Sequence, residues 1–362
     1  MDKSLLNVLA LPILCTFIFA VILTPLSLIF IKKIGLFDDP KSHKHPAILH
    51  KTPIPRGGGV PLIAAILLSG VLFLKLSFTV ISLGIAALLA LVIGVLDDKL
   101  DVSPYLRFFG NIIVASIIVG SGVTIPFITN PFGGILYLSA FRFSFDFLGF
   151  PILIALSDIL AILWIVWVMN MLNWSKGVDG QMPGIVAISS FVIGILSLRF
   201  GTSDPNTVTA ATLSFMIAGA SLGFLLFNFY PAKIFPGYGA TAMYMLVAAV
   251  SILSSAKLAT AILVMGVPMI DGVFTIGRRI LEGRSPFWHD KKHLHHLLLR
   301  LGFGQRQIAL FYWVISAIFG ALSLMLSSKQ KIFAILMLIA IVGGTLLFLH
   351  SALKNKDEEK TL

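Results

Sequence analysis

Residues 78–101, F-T-V-I-S-L-G-I-A-A-L-L-A-L-V-I-G-V-L-D-D-K-L-D, are apolar for most of their length and end on Asp97, Asp98 and Asp101. An apolar helix of about 20 residues spans the roughly 30 Å hydrocarbon core of a bilayer, so the stretch reads as a membrane span with carboxylates at its mouth. Charged groups at such a place cost about 2.5–3.5 kcal/mol each by insertion scales and usually face a pathway or a site. If the helix runs on through them, Asp97 and Asp101 share a face and Asp98 points about 100° away. A cluster of this kind suits a cation or a proton. The plainer alternative is a helix end dipping into water.

Working outward, the rest of the chain is of the same kind. Of its 362 residues 57% are hydrophobic and only 12% charged, against about a quarter charged in soluble domains. Its mean hydropathy is +0.98. This is the composition of an all-α polytopic membrane protein whose surroundings are lipid, and nucleic acid is not an expected partner. The single Cys15 excludes an intramolecular disulfide. The first apolar stretch, from Leu5 to Ile31, is too long for a signal-peptide core and reads as an uncleaved span.

Apolar stretches of spanning length predict about eleven helices, at 5–31, 58–74, 78–96, 108–126, 150–172, 182–199, 210–228, 240–255, 258–277, 307–326 and 332–351. Twenty of the 27 lysines and arginines then fall on one set of alternate loops. Because such residues favour the cytoplasmic side, the N-terminus is expected outside and the C-terminus inside. Residues 1–352 read as a single membrane domain and 353–362 as a polar cytoplasmic tail. A stretch at 135–148, I-L-Y-L-S-A-F-R-F-S-F-D-F-L, alternates aromatic with small or polar residues and predicts a short hairpin at the outer interface.

Under this topology the unusual polar segments all emerge on the cytoplasmic face. H-K-T-P-I-P-R-G-G-G, residues 50–59, sets His50, Lys51 and Arg56 before three glycines that open the second helix. Glycine backbone and a helix N-terminus can receive a phosphate, or the run is simply a tight loop. N-M-L-N-W-S-K-G-V-D-G, residues 170–180, places Asn170 and Asn173 on one helix face and Asp179 in a turn. Amides at membrane depth need polar partners, which are either a ligand or a neighbouring helix. From Asp271 to Gly302 the chain carries Arg278, Arg279 and Arg284, then Asp290, then His293, His295 and His296. Zinc would require further Cys or His at tetrahedral spacing, and no Cys is near. Histidines among arginines suit a polyanion, with imidazole N–H groups and fixed guanidinium charge meeting phosphate oxygens; a basic membrane-surface patch is the other reading.

These segments, with F-N-F-Y-P-A-K-I-F-P-G-Y-G-A-T at 227–241 and S-P-F-W-H-D-K-K-H-L-H-H-L-L-L-R-L-G at 285–302, resemble the polyprenyl-phosphate N-acetylhexosamine-1-phosphate transferases. The likeness runs through nearly the whole chain in order. The D-x-x-H-x-H-H ending is similar to the branch that transfers GlcNAc-1-phosphate in O-antigen, enterobacterial common antigen and teichoic acid synthesis. The phospho-N-acetylmuramoyl-pentapeptide transferases of peptidoglycan synthesis are less similar there. The resemblance implies a bacterial inner-membrane enzyme that moves a sugar-1-phosphate from a UDP-N-acetylhexosamine to polyprenyl phosphate, releases UMP and uses Mg²⁺ or Mn²⁺. It implies that Asp97 and Asp98 orient or deprotonate the lipid phosphate and hold the metal. Asn170, Asn173, Asn228 and Asp179 would line the nucleotide and diphosphate site, and Arg279, His293, His295 and His296, with Arg56 and Lys51, would grip phosphate or sugar. A homodimer is compatible with the chain.

Two positions depart from the family pattern. Lys176 stands where N-x-x-N-x-x-D-G-x-D-G has an aspartate, and Tyr238 where G-D-x-G-S has its metal-binding aspartate. One reading keeps an active transferase in which Asp97 and Asp98 carry more of the metal. In a second, Lys176 takes over part of the metal's work. The third is a catalytically silent homologue that binds polyprenyl-linked or nucleotide ligands.

Overall fold

The computed structural model describes residues 6–39, 52–130, 133–147, 150–200, 204–253, 258–288 and 290–359. After a π-helical turn at Leu6–Ala10 come α1 (Leu11–Lys33), α2 (Gly59–Phe73), α3 (Phe78–Leu100), α4 (Pro104–Gly120), α5 (Leu156–Trp174), α6 (Gln181–Leu198) and α7 (Pro205–Asn228). They are followed by α8 (Thr241–Ile252), α9 (Leu258–Val264), α10 (Gly266–Leu281), α11 (Leu294–Arg300), α12 (Gln305–Met325) and α13 (Ser328–Glu359). Seven of these are long and apolar enough to cross a membrane, or eight if the bent pair α9 and α10 is one span. Helices α2, α4 and α8 are apolar but shorter, at 15, 17 and 12 residues. The chain is a polytopic integral membrane protein.

Packing follows the logic of lipid as solvent. On α1 the bulky Leu14, Ile18, Ile22, Leu26 and Ile29 are exposed, while the inward positions are Pro12, Thr16, Ala20 and Thr24. Small residues inside let helices approach closely where no hydrophobic force separates core from solvent. Gly219 and Gly223 of α7 sit directly on the α1 backbone, where added Cβ atoms would lie 2.3 Å from the Ile13 carbonyl oxygen and 2.7 Å from that of Phe17. Helix α8 is buried at all of its residues, with α2, α3, α5, α6 and α7 packed around it.

Several sequence expectations are corrected. The described residues of 135–148 belong to two hairpins: β1 (Phe127–Thr129) pairs with β2 (Ile135–Tyr137), and β3 (Arg142–Phe147) with β4 (Phe150–Ala155), both antiparallel. The alternation was real, but its partner is F-P-I-L-I-A at 150–155, whose hydropathy resembles a helix. Helix α5 begins only at Leu156, where the Asp158 carboxylate accepts the Ala155 N–H at 3.0 Å. Helix α4 stops at Gly120, short of the expected 126. The segment expected at 258–277 is bent by 83° between α9 and α10. Pro268 lacks an N–H and its ring would clash with the carbonyl four residues back, at Val264, which is where α9 ends. The tail is helical as far as Glu359, because K-N-K-D-E-E consists largely of helix-compatible residues.

The N-terminus of α8 is where α2 and α3 meet. A Cβ at Gly94 would lie 2.3 Å from the Gly239 Cα, and one at Gly59 would lie 2.2 Å from the Gly239 carbonyl carbon. Backbone cannot yield there as a side chain would. Gly94→Ala is therefore expected to destabilise the protein by about 3 kcal/mol or more, read as a lower Tm in detergent. Gly70→Ala, whose Cβ meets nothing closer than 3.8 Å, is expected to leave Tm unchanged or raised.

Candidate active site

The segment before α2 runs alongside the segment before α8. Phe235 N–H donates to the Pro55 carbonyl at 2.8 Å, Gly57 and Gly58 N–H donate to the Phe235 carbonyl at 3.3 and 2.9 Å, and Gly59 N–H donates to that of Pro236 at 2.9 Å. The glycine N–H groups are thus satisfied by backbone, which favours the tight loop over the phosphate cradle among the two readings of this run. What the zipper does is fix Arg56. Its Nε lies 2.7 Å from Asp98 Oδ1, and the Asp98 side chain is 0% exposed. The same carboxylate accepts the Tyr238 N–H at 2.8 Å and, more weakly, the Gly239 N–H at 3.5 Å, so it also balances the positive N-terminal end of α8. Lys51 and His50 lie outside the described residues.

Asp97 is held by different partners. Arg107 Nη1 donates to its Oδ2 at 3.2 Å and Val102 N–H to its Oδ1 at 3.1 Å. Helix α3 ends at Leu100, and Asp101 turns into the left-handed region with φ 49° and lies exposed. The expected shared face of Asp97 and Asp101 is therefore absent. Arg107, in the first turn of α4, sits 5.3 Å from the Tyr238 ring centroid, and Lys176 Nζ lies 5.9 Å from it. The Tyr238 hydroxyl accepts from Asn111 Nδ2 at 3.1 Å. Burial pushes the Tyr238 phenol up to about 12, so it is neutral.

Lys176 belongs to a turn, 175–180, that binds the two halves of the site together. Its Nζ donates to the Gly237 carbonyl at 3.1 Å. Burial, with Arg56 nearby, lowers its ammonium to about 7 against the pull of Asp98 and Asp97. Asp179 accepts the Ala232 N–H at 2.9 Å, while its own N–H donates to Gln305 Oε1 at 3.1 Å. Asn228 takes the Gly180 N–H at 3.1 Å and gives to the Ile234 carbonyl at 2.8 Å. Asp179 and Asn228 are thus loop ties. Asn170 donates to the Val166 carbonyl of its own helix at 2.7 Å. Asn173 differs: its Oδ1 is buried and without a hydrogen-bond partner among the described residues.

On the other side of this turn lies the histidine cluster. A Cβ at Gly177 would fall 1.9 Å from His295 Nε2, so only glycine admits that ring. His293 Nδ1 is 2.8 Å from Asp271 Oδ2, and Asp271 Oδ1 accepts the Leu294 N–H at 3.0 Å. Asp271 was overlooked in the sequence, although a carboxylate in an apolar helix is the same signal that drew attention to Asp97. Arg279 is buried and donates to Asp290 at 3.0 Å and to the Pro286 carbonyl at 2.6 Å, and Arg278 meets Asp290 at 2.9 Å. Although burial opposes it, this pairing holds the Asp290 carboxyl well below its usual range. Burial lowers the His296 imidazole to about 4 and holds that of His295 well below its ordinary value. Both are neutral at pH 7 and offer N–H donors rather than charge. His295 Nδ1 is buried and unpartnered among the described residues. Phe287 reaches across to the start of α4, with ring centroids 5.3 Å from Tyr105 and 5.5 Å from Phe108.

The side chains do not fit a divalent cation. Among the described residues no group of three or more His, Cys, Asp or Glu could hold one. Asp97 and Asp98 are each paired with a guanidinium, and the remaining two family positions are an ammonium and a phenol. Mg²⁺ needs one or two available carboxylate oxygens.

Comparison with known proteins agrees with the motifs. A family model for glycosyl transferase family 4 matches residues 80–255. The chain is 32% identical over 318 residues to a probable undecaprenyl-phosphate N-acetylglucosaminyl 1-phosphate transferase of Bacillus subtilis, covering 85% of this chain and 82% of that one. It is 32% identical over 329 residues to a decaprenyl-phosphate N-acetylglucosaminephosphotransferase of Mycobacterium leprae, covering 82% and 79%. It is 26% identical over 330 residues to a phospho-N-acetylmuramoyl-pentapeptide-transferase of Geobacillus thermodenitrificans, covering 85% and 94%. With its polar motifs gathered at one end of a helical membrane bundle, the chain belongs to glycosyl transferase family 4, among the polyprenyl-phosphate N-acetylhexosamine-1-phosphate transferases.

Proposed function

We propose that the protein transfers GlcNAc-1-phosphate, or a related N-acetylhexosamine-1-phosphate, from the UDP-sugar to polyprenyl phosphate and releases UMP. The placement proposed is the bacterial inner membrane, with eleven crossings, the N-terminus outside and the site on the cytoplasmic face. The family relationship supports the chemistry, and the bias of lysine and arginine supports the orientation. The observation that carries the reading is the meeting of Arg56, Arg107 and Lys176 at the membrane boundary, joined through Gly177 to the histidine cluster. A diphosphate and a lipid phosphate are both anions that such a place can bind.

In this reaction an oxygen of the lipid phosphate forms a bond to the phosphorus that carries the sugar. The bond from that phosphorus to the oxygen bridging to UMP breaks, and UMP leaves with the electron pair. Little covalent help is required; such displacements depend on positioning and on neutralising charge. The three cations serve the second need. Asp97 and Asp98, whose oxygens are engaged internally, act as positioning residues for Arg107 and Arg56. Asn173 Oδ1 and His295 Nδ1, without hydrogen-bond partners among the described residues, are assigned to the donor substrate.

A panel of radiolabelled UDP-sugars, incubated with membranes containing the protein and undecaprenyl phosphate, is expected to yield butanol-extractable lipid-linked label and UMP. The reading fails if no sugar gives product above membranes lacking the protein. Binding of the donor should also depend on pH. The Lys176 ammonium lies below its ordinary value, at about 7, so charge is lost as pH rises through 7 while the donor diphosphate stays anionic. UDP-GlcNAc affinity measured by equilibrium dialysis is expected to fall by about tenfold between pH 6 and 8, as for loss of one charged hydrogen bond, and the fall should be absent in Lys176→Arg.

A further inference from the structure

The mismatch between this donor set and a divalent cation has a definite direction. Relative to the family pattern, lysine for aspartate at 176 adds two units of positive charge and tyrosine for aspartate at 238 adds one. A divalent ion supplies two. We propose that Lys176, with Arg56 and Arg107, is a resident cation site that replaces the divalent metal in binding the donor diphosphate, so that the protein works without Mg²⁺ or Mn²⁺. This rests on the transferase reading above.

The geometry supports a replacement rather than a loss. Lys176 Nζ reaches across the site to the Gly237 carbonyl at 3.1 Å, in the very segment where the family carries its metal-binding aspartate. The Tyr238 ring lies within 6 Å of both Lys176 Nζ and the Arg107 guanidinium, at 5.9 and 5.3 Å. Its hydroxyl is fixed by Asn111. Arg56 and Arg107 are held by Asp98 and Asp97 at 2.7 and 3.2 Å, yet their side chains keep 25% and 16% exposure. A site that had merely decayed would not be expected to fasten each cation in this way. A metal would have to displace a guanidinium from either carboxylate and tolerate the ammonium beside it. Phosphate oxygens can share the exposed sides of the two guanidiniums, which stay bonded to Asp98 and Asp97, and meet the ammonium directly.

The test uses the full-length protein in detergent or nanodiscs, with UDP-GlcNAc binding and transfer to undecaprenyl phosphate both measured in excess chelator and in millimolar Mg²⁺. Binding and transfer are expected to agree within about twofold between the two conditions, and Lys176→Ala should weaken donor binding by about tenfold or more in either. The double substitution Lys176→Asp with Tyr238→Asp should make donor binding depend on Mg²⁺ by at least about tenfold, as expected for a site converted to metal. Loss of wild-type binding in chelator, or more than tenfold stimulation of binding or transfer by Mg²⁺, overturns the proposal while leaving the transferase reading intact. Metal-independent binding without transfer in either condition supports the cation site and overturns the transferase reading. No donor binding in either condition overturns both. The wild-type comparison holds whether or not the variants fold.

Discussion

The Asp98 carboxylate is the point on which the rest of the site depends. It sits fully enclosed at the N-terminus of a helix that is itself buried all round, and it meets Arg56 and the Tyr238 N–H, groups 42 and 140 residues away in the chain. Removing one partner from a buried ion pair costs about 3–5 kcal/mol, because the other charge is left unpaired. Here the carboxylate also balances the helix end, so its loss would loosen α8, the segment before α2 and the end of α3 together. Glycines at 59, 94 and 239 permit this convergence by letting three backbones touch. Burial explains why the arrangement must be complete: an enclosed N–H or carboxylate left without a partner is costly.

From that anchor the turn at 175–180 carries order to the opposite side. Lys176 contacts Gly237, Gly177 accommodates His295, Asp179 holds Ala232, and Gly180 binds Asn228. Six consecutive residues therefore connect the guanidinium pairs to the histidine cluster, and little of the turn is free to move independently. Among the buried polar atoms next to this framework that have no hydrogen-bond partner among the described residues are Asn173 Oδ1 and His295 Nδ1. Each is costly to leave unmade, and each becomes reasonable once a ligand is allowed to complete it.

Much of this was legible in the sequence, and what was not has a common cause. Hydropathy located helix in each of the expected segments, and the polar motifs named nearly all the residues that converge. Pairing was hidden, since it is set by contacts across tens of residues: nothing local distinguishes Arg107 from any other loop cation, or announces that Asp271 will orient His293. The glycine run before α2 left a phosphate cradle and a tight loop both open for the same reason, since its N–H groups find carbonyls at 235 and 236. Apolar strands at 150–155 were indistinguishable from helix by hydropathy alone. The break at Pro268 had a local signal that length-based reading passed over. Even the G-x-x-x-G at Gly219 and Gly223 was in plain view, and its meaning came only with the α1 backbone against it.

The substitutions at 176 and 238 make most sense as a pair. An aspartate left at 238 beside Lys176 and Arg107 would form ion pairs with both, cancelling the charge that a phosphate needs. An aspartate left at 176 beside the phenol would place an unpaired carboxylate next to Asp97 and Asp98. With lysine and tyrosine together, neither problem arises. The aromatic face attracts both cations through its quadrupole, by about 0.5–2 kcal/mol each, which is enough to favour their positions and too little to satisfy them. A carboxylate at 238 would neutralise Lys176 and add to the Asp97 pairing of Arg107, whereas the ring attracts both without cancelling further charge. A site organised in this way is incomplete until an anion with several oxygens enters it, which is the property a diphosphate-binding pocket requires.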